Sequence, residues 1–226
     1  MPRHSRGFDV EAAWEHLQRR DRRLAAWMRR IGPLPAERGW RRPFDPVDAL
    51  ARAILFQQLS GKAASTIVGR VEAAIGSRRL HHDTLGRVDD ATLRACGVSG
   101  NKILALRDLA AREARGEIPT LRQMAGMDQD EIVAALTPIR GIGRWTVEMM
   151  LMFRLGRPDV LPVDDLGVRK GAQRVDRLEG LPLPRELLAR GERWAPYRTY
   201  ASLYLWRIAD GAGENVTAPR TNRSQD

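Results

Sequence analysis

Apolar residues recur every three to four positions along nearly the whole chain, and no stretch alternates with the period of two that a half-buried strand requires. Between Asp9 and Arg30, the residues Ala13, Leu17, Leu24, Trp27 and Met28 fall on one stripe, which predicts a single amphipathic helix. Pro33, Pro35, Gly39, Pro43 and Pro46 then interrupt the pattern and predict a loop. The Asp45-Pro46 pair reads as the start of a helix over 47–58, and Ser60 as the cap of another that stops at Gly76. Further helices are predicted over 90–96, 102–115, 119–124, 128–136, 144–155 and 165–175. Pro184 and Pro196 each open one more. The polar stretch 211–226 is expected to be disordered. The reading is an all-α chain of about ten helices.

Composition narrows this little further. The chain has 226 residues, 43% hydrophobic and 29% charged, as soluble globular proteins do. No apolar run approaches the roughly 20 residues that cross a bilayer, and the N-terminus lacks the apolar core of a secretory signal. One cysteine, Cys96, excludes an intramolecular disulfide and any four-cysteine zinc or iron–sulfur site. The cytosol is the expected compartment. The net charge of +10 and pI near 10.9 suit a polyanionic partner. All but three of the 38 basic residues are arginine, however, a bias that a GC-rich genome also produces. A plain solvated basic surface explains the charge equally well.

Chemistry concentrates in one stretch, Leu136-Thr-Pro-Ile-Arg-Gly-Ile-Gly-Arg-Trp-Thr-Val-Glu148. A helix, a Gly-Ile-Gly turn and a second helix form a hairpin whose glycines, Gly141 and Gly143, permit positive φ and close backbone approach. Successive backbone N–H groups ahead of a helix N-terminus bind a phosphate oxygen without any side-chain charge. A tight connection with glycine at a helix C-cap has the same sequence. Downstream, Leu161-Pro-Val-Asp-Asp165 brings an extended segment to a helix start, with Asp164 as the expected N-cap and Asp165 as the first helical residue. A carboxylate there is normally just a cap. Beside a phosphate-binding hairpin it has a second use, facing a sugar carbon on which positive charge develops.

Gly141-Ile-Gly-Arg-Trp-Thr146 followed by Leu161-Pro-Val-Asp164 resembles the helix–hairpin–helix DNA glycosylases, most closely their 3-methyladenine DNA glycosylase II branch. Ala53-Ile-Leu-Phe-Gln-Gln-Leu-Ser60 resembles the branch's wedge-and-pocket helix, Gly97-Val-Ser-Gly-Asn-Lys102 its interhelical turn, and Trp194 to Trp206 its final helix. The likeness runs from about Pro43 to Ala209. It implies two helical lobes with a cleft between them, one over 47–161 and the other over 1–46 with 162–210. The longer members' N-terminal β-rich domain is not expected, because only about 45 residues precede the first matched helix.

The resemblance also implies roles. Asp164 is the catalytic carboxylate, stabilising the sugar cation as the base leaves, with Asp165 complementing the helix dipole. Gln57, Trp145, Met149 and Trp206 line the base pocket, and Gln58 is the wedge that fills the gap left by a flipped nucleotide. Gly141, Gly143, Arg144 and Thr146 hold phosphate. The carbonyls of Thr137, Ile139 and Ile142 hold a structural Na+ or K+, and no other cofactor is implied. Bifunctional relatives carry a nucleophilic lysine at position 145, so tryptophan there implies a monofunctional hydrolase acting as a monomer on damaged double-stranded DNA. Two rivals stay open. One is a glycosylase for hypoxanthine, uracil or an oxidised purine, and the other an inactive helix–hairpin–helix module that only binds DNA.

Overall fold

The computed structural model describes residues 4–213, and within them all repetitive backbone structure is helical. The expected disorder of the C-terminal stretch falls largely on 214–226, outside the described residues. Residues 211–213 form a turn that closes the last helix, with Ala212 N–H donating to the Arg207 carbonyl at 2.9 Å. The described residues contain thirteen α-helices, more than the pattern predicts. They fall into two compact units, 4–5 with Arg41–Arg154 and Arg6–Trp40 with 155–213.

The first unit holds α3 (Pro46–Phe56), α4 (Gly61–Ile75), α5 (His82–Leu85), α6 (Asp90–Ala95), α7 (Gly100–Ala114), α8 (Leu121–Met124), α9 (Gln129–Leu136) and α10 (Arg144–Met150). Its core lies between α3 and α7, where Leu50, Ile54, Leu55, Ile103, Leu106 and Leu109 are all but sealed from water. Leu and Ile recurring at three- and four-residue spacing give both helices their buried stripes. Ser60 caps α4 as expected, and Gly76 ends it in the left-handed conformation. Other features of this unit differ from the pattern. The one-turn α5 is too short to show a period. The α7 helix starts at Gly100, because Ser99 rather than the whole Val98–Asn101 turn precedes it. Beyond α10 the chain winds on as a π-turn, Leu151–Leu155, which shifts the facing of the last residues.

The second unit holds α1 (Val10–Arg20), α2 (Arg22–Ile31), α11 (Leu166–Asp176), α12 (Pro184–Gly191) and α13 (Arg198–Ala209). The α11 and α13 helices pack closely because a Cβ at Gly171 would overlap the Leu205 backbone. Tyr200 and Tyr204 are buried in the core, yet their hydroxyls donate to the carbonyls of Leu34 and Gly32, each at 2.8 Å. Trp27, expected on the buried stripe, is only half-buried, and Arg30 stacks over its ring at 5.5 Å.

The single helix expected over 9–30 is broken at Asp21. This residue ends α1 and caps α2, its Oδ1 accepting from the N–H groups of Arg23 and Leu24 at 3.1 Å each. It is 3% exposed, and Oδ2 accepts from Trp194 Nε1 at 2.7 Å and pairs with Arg190. Burial alone pushes this carboxyl up. Arg190, Trp194 and the Leu24 N–H outweigh that and hold it below the ordinary aspartate range. Its stabilising contribution is therefore complete above that range and is lost as pH falls through the lowered folded value. Asp21→Ala is expected to cost about 3–5 kcal/mol, because it leaves Arg190 buried without this partner. Asp21→Asn is expected to flatten the acid arm of a melting-temperature profile, and an unchanged arm would assign that arm to other carboxylates.

Candidate active site

The hairpin is built on apolar anchors. Ile139 and Ile142 are 1% and 3% exposed, and between and beyond them Gly141 and Gly143 lie at the surface. Gly141 has φ +78°, and a Cβ there would also come within 3.3 Å of Ala105, so glycine is required by conformation. Gly143 is different. Its φ of −93° is open to any residue, and a Cβ there would meet nothing within 4 Å. The expectation that both glycines serve positive φ thus holds for Gly141 alone. Gly143 caps α10 through its backbone, with its carbonyl accepting from Thr146 and Val147. Thr137 ends α9, its hydroxyl turned back to the Val133 carbonyl at 2.9 Å. Arg144 is committed to Glu148 at 3.1 Å and to Asp130 at 3.4 Å, while staying more than half exposed. Asp108 holds the turn from below by accepting from the Arg140 N–H at 2.8 Å. Burial raises that carboxyl, but the Arg140 N–H and Arg112 together bring it below the usual carboxylate range.

Beside this hairpin, α3 and α10 wall a cavity of about 760 Å³. That lies within the roughly 300–1,000 Å³ span of small-molecule sites. Gln57, Gln58, Trp145, Thr146 and Met149 all line it, so the structure brings together most residues that the sequence singled out. Trp145 is 50% exposed, unusual for an indole with a core at hand. The π-turn adds Phe153 and Arg154 to the wall, and Phe56 adds another ring. Phe153 and Arg154 carry no sequence signal, because their facing depends on where the helix period changes.

The helix expected to include both glutamines stops before them. Gln57 is the C-cap of α3, and Gln58 has φ +57°, a left-handed conformation that a non-glycine residue rarely adopts. Two contacts hold this exit in place. The Gln57 side chain donates to the Gly141 carbonyl at 2.8 Å, joining the cavity wall to the hairpin. Lys102 Nζ donates to the carbonyls of Leu55 at 2.7 Å and Gln57 at 2.8 Å, closing the end of α3. Burial pushes the Lys102 ammonium below the ordinary lysine range. Sequence reasoning placed Lys102 only in an interhelical turn and missed this use.

In the second unit, the helix cap falls one residue later than expected. Asp165 is the N-cap of α11, with Oδ1 accepting from the Val168 N–H at 2.8 Å. Asp164 lies in the preceding turn and is exposed. The Asp165 N–H donates to the Pro162 carbonyl at 3.0 Å, a turn that delays the helix by one residue. Trp206 Nε1 also donates to Asp165 Oδ1, at 2.7 Å. Trp206 thus orients this carboxylate. Gly167 makes room for it, since a Cβ there would stand 2.6 Å from the Trp206 ring.

Among the described residues, no helix is long and apolar enough to cross a membrane, and no three His, Cys, Asp or Glu side chains are grouped to hold a metal ion. Residues 51–196 match the family described as HhH-GPD superfamily base excision DNA repair protein. The chain is 39% identical over 166 residues to DNA-3-methyladenine glycosylase 1 of Schizosaccharomyces pombe, covering 73% of each protein. Its fold is similar to the crystal structure of a Bacillus halodurans DNA-3-methyladenine glycosidase, with a TM-score of 0.80 and 36% identity over 90% of this chain and 91% of that one. It is also similar to a Schizosaccharomyces pombe 3-methyladenine DNA glycosylase in complex with abasic DNA, with a TM-score of 0.73 and 34% identity over 89% and 98%.

Proposed function

The chain belongs to the HhH-GPD superfamily of base excision DNA repair proteins, and from that premise we propose how its residues divide the work of excision. It is a DNA-3-methyladenine glycosylase of base excision repair, hydrolysing the N-glycosidic bond of alkylated purines. The observation that carries the substrate class is the half-exposed Trp145 indole on the cavity wall. A methylated purine is cationic, and a cation over an indole face gains about 0.5–2 kcal/mol according to desolvation. An already charged base also leaves readily, so no general acid is needed, and none is assigned.

The glycine at 143 serves no need of this chain's own conformation or packing, which supports a close external approach of DNA phosphate to the N-terminus of α10. Gln58 is presented by an unusual backbone conformation at the cavity rim, as befits a side chain that enters the duplex while the target nucleotide is flipped out. A developing sugar cation calls for a carboxylate held in fixed orientation at the helix start. Asp165 meets that requirement and Asp164, the residue indicated by the resemblance, does not. We therefore assign stabilisation of the developing sugar cation, and positioning of the attacking water, to Asp165. Tryptophan at 145 offers no amine for attack on the sugar, so the reaction is hydrolysis without strand cleavage. The turn carbonyls of Thr137, Ile139 and Ile142 are hard oxygen donors that suit Na+ or K+, and such an ion would fix the hairpin's shape.

A panel of duplex oligonucleotides, each with one lesion, tests the substrate class. Release of 3-methyladenine and 7-methylguanine is expected to exceed release of hypoxanthine, uracil or 8-oxoguanine. Preference for one of the uncharged bases would replace the cationic-base reading, and release of none would leave only a DNA-binding module.

A further inference from the structure

The sequence Arg19-Arg-Asp-Arg-Arg23 mixes four positive charges with one negative charge. The fold separates them. Asp21 turns inward at the α1–α2 corner, where Leu24 N–H, Trp194 Nε1 and Arg190 occupy its oxygens. Arg190 is in turn clasped by Asp176, through Nε at 2.6 Å and a terminal nitrogen at 3.0 Å. Both carboxylates of the corner are thus engaged by Arg190, and what faces water is mainly basic. Arg19 and Arg23 keep only exposed pairs, with Glu15 at 3.2 Å and Asp176 at 3.3 Å, worth little in water. Arg20, Arg22 and Arg193 have no ion pair with any described carboxylate, and all three are exposed. These arginines surround a concavity of about 640 Å³ made wholly of second-unit residues.

We propose that this corner is a second contact surface for the phosphate backbone of duplex DNA, made of residues other than the hairpin. The inference rests on the DNA-repair reading for its choice of polyanion. The charge itself does not. Three uncompensated guanidiniums around a hollow present planar forks that match phosphate oxygens two at a time. The buried Asp21–Arg190–Asp176 chain fixes the helix break that splays them, so the surface is preorganised rather than a loose run of charges. Contacts of this kind carry no base information and act on damaged and undamaged duplex alike.

The test is the salt dependence of binding to an undamaged duplex, for wild type and for Arg20→Gln/Arg22→Gln/Arg193→Gln. Each phosphate contact contributes about 0.9 to the slope of log affinity against log salt. The triple variant is expected to lose roughly 2 to 3 from that slope and roughly tenfold in affinity at low salt. Its single-turnover excision rate at saturating enzyme is expected to match wild type. A charge-matched variant, Arg78→Gln/Arg94→Gln/Arg122→Gln, changes three exposed arginines of the first unit and is expected to lose less slope. If the corner variant keeps the wild-type slope, or loses no more than the control, the proposal is overturned while the repair reading stands. If wild type itself binds duplex without salt dependence, both fall together.

Discussion

Asp165→Asn is expected to slow single-turnover excision of an alkylated purine by about 100- to 1,000-fold, the range seen when one preorganised charge-stabilising group is removed from an active site. Asparagine keeps the cap, because its oxygen still accepts from the Val168 N–H and from Trp206 Nε1. What disappears is the negative charge opposite the developing sugar cation. Folding is expected to change by only about 0.3–1 kcal/mol, through the lost interaction with the helix dipole. Lesion-DNA binding is expected to persist, which separates a chemical defect from a binding one. Asp164→Asn alters an exposed turn residue and is expected to leave most turnover intact. The reverse pattern, with Asp164→Asn inactive and Asp165→Asn active, would return the role to the position indicated by family resemblance. It would also show that the capped carboxylate is purely structural.

Gly143→Asp is expected to weaken binding to every duplex by roughly 10- to 150-fold, the equivalent of one hydrogen bond to a charged group. The substitution has room, since a Cβ at this position meets no atom within 4 Å. Its φ of −93° imposes no strain either. Loss of affinity cannot then come from misfolding, and melting temperatures close to wild type are expected to confirm this. The aspartate puts a negative charge where backbone N–H groups would meet phosphate, so damaged and undamaged DNA should suffer alike. Gly143→Ala, which adds bulk without charge, is expected to fall between the two. Wild-type affinity in Gly143→Asp would make the hairpin a structural connection only.

The helices were legible because their buried stripes follow the 3.6-residue period, as in Leu50, Ile54 and Leu55. The break at Asp21 was not. Arg19 to Arg23 is compatible with continuous helix, and what decides the matter is Trp194, far along the chain, which offers a buried donor. The hairpin, the cavity residues Gln57, Trp145 and Met149, and the pair of aspartates could all be named from motifs. Assigning the cap within that pair could not be done locally. It turns on a bond from Trp206 and on the space that Gly167 leaves for the indole. Gln58 was placed at a helix end by its sequence, but neither its left-handed backbone nor the Lys102 ammonium that gathers the carbonyls of Leu55 and Gln57 beside it could be read there. In each case the missing information is a tertiary partner, which no window of sequence contains.

Excision by hydrolysis is tested most directly by following both products from one duplex that carries a single 3-methyladenine-type lesion. Chromatography detects the free base, and gel electrophoresis of the same samples, before and after hot alkali, detects the strand. Free methylated base with an intact strand, broken only after alkali, is the result expected for a chain with a capping carboxylate at 165 and tryptophan at 145. Strand cleavage without alkali, or a protein–DNA adduct trapped by borohydride, would contradict it by revealing an amine nucleophile at work in the site.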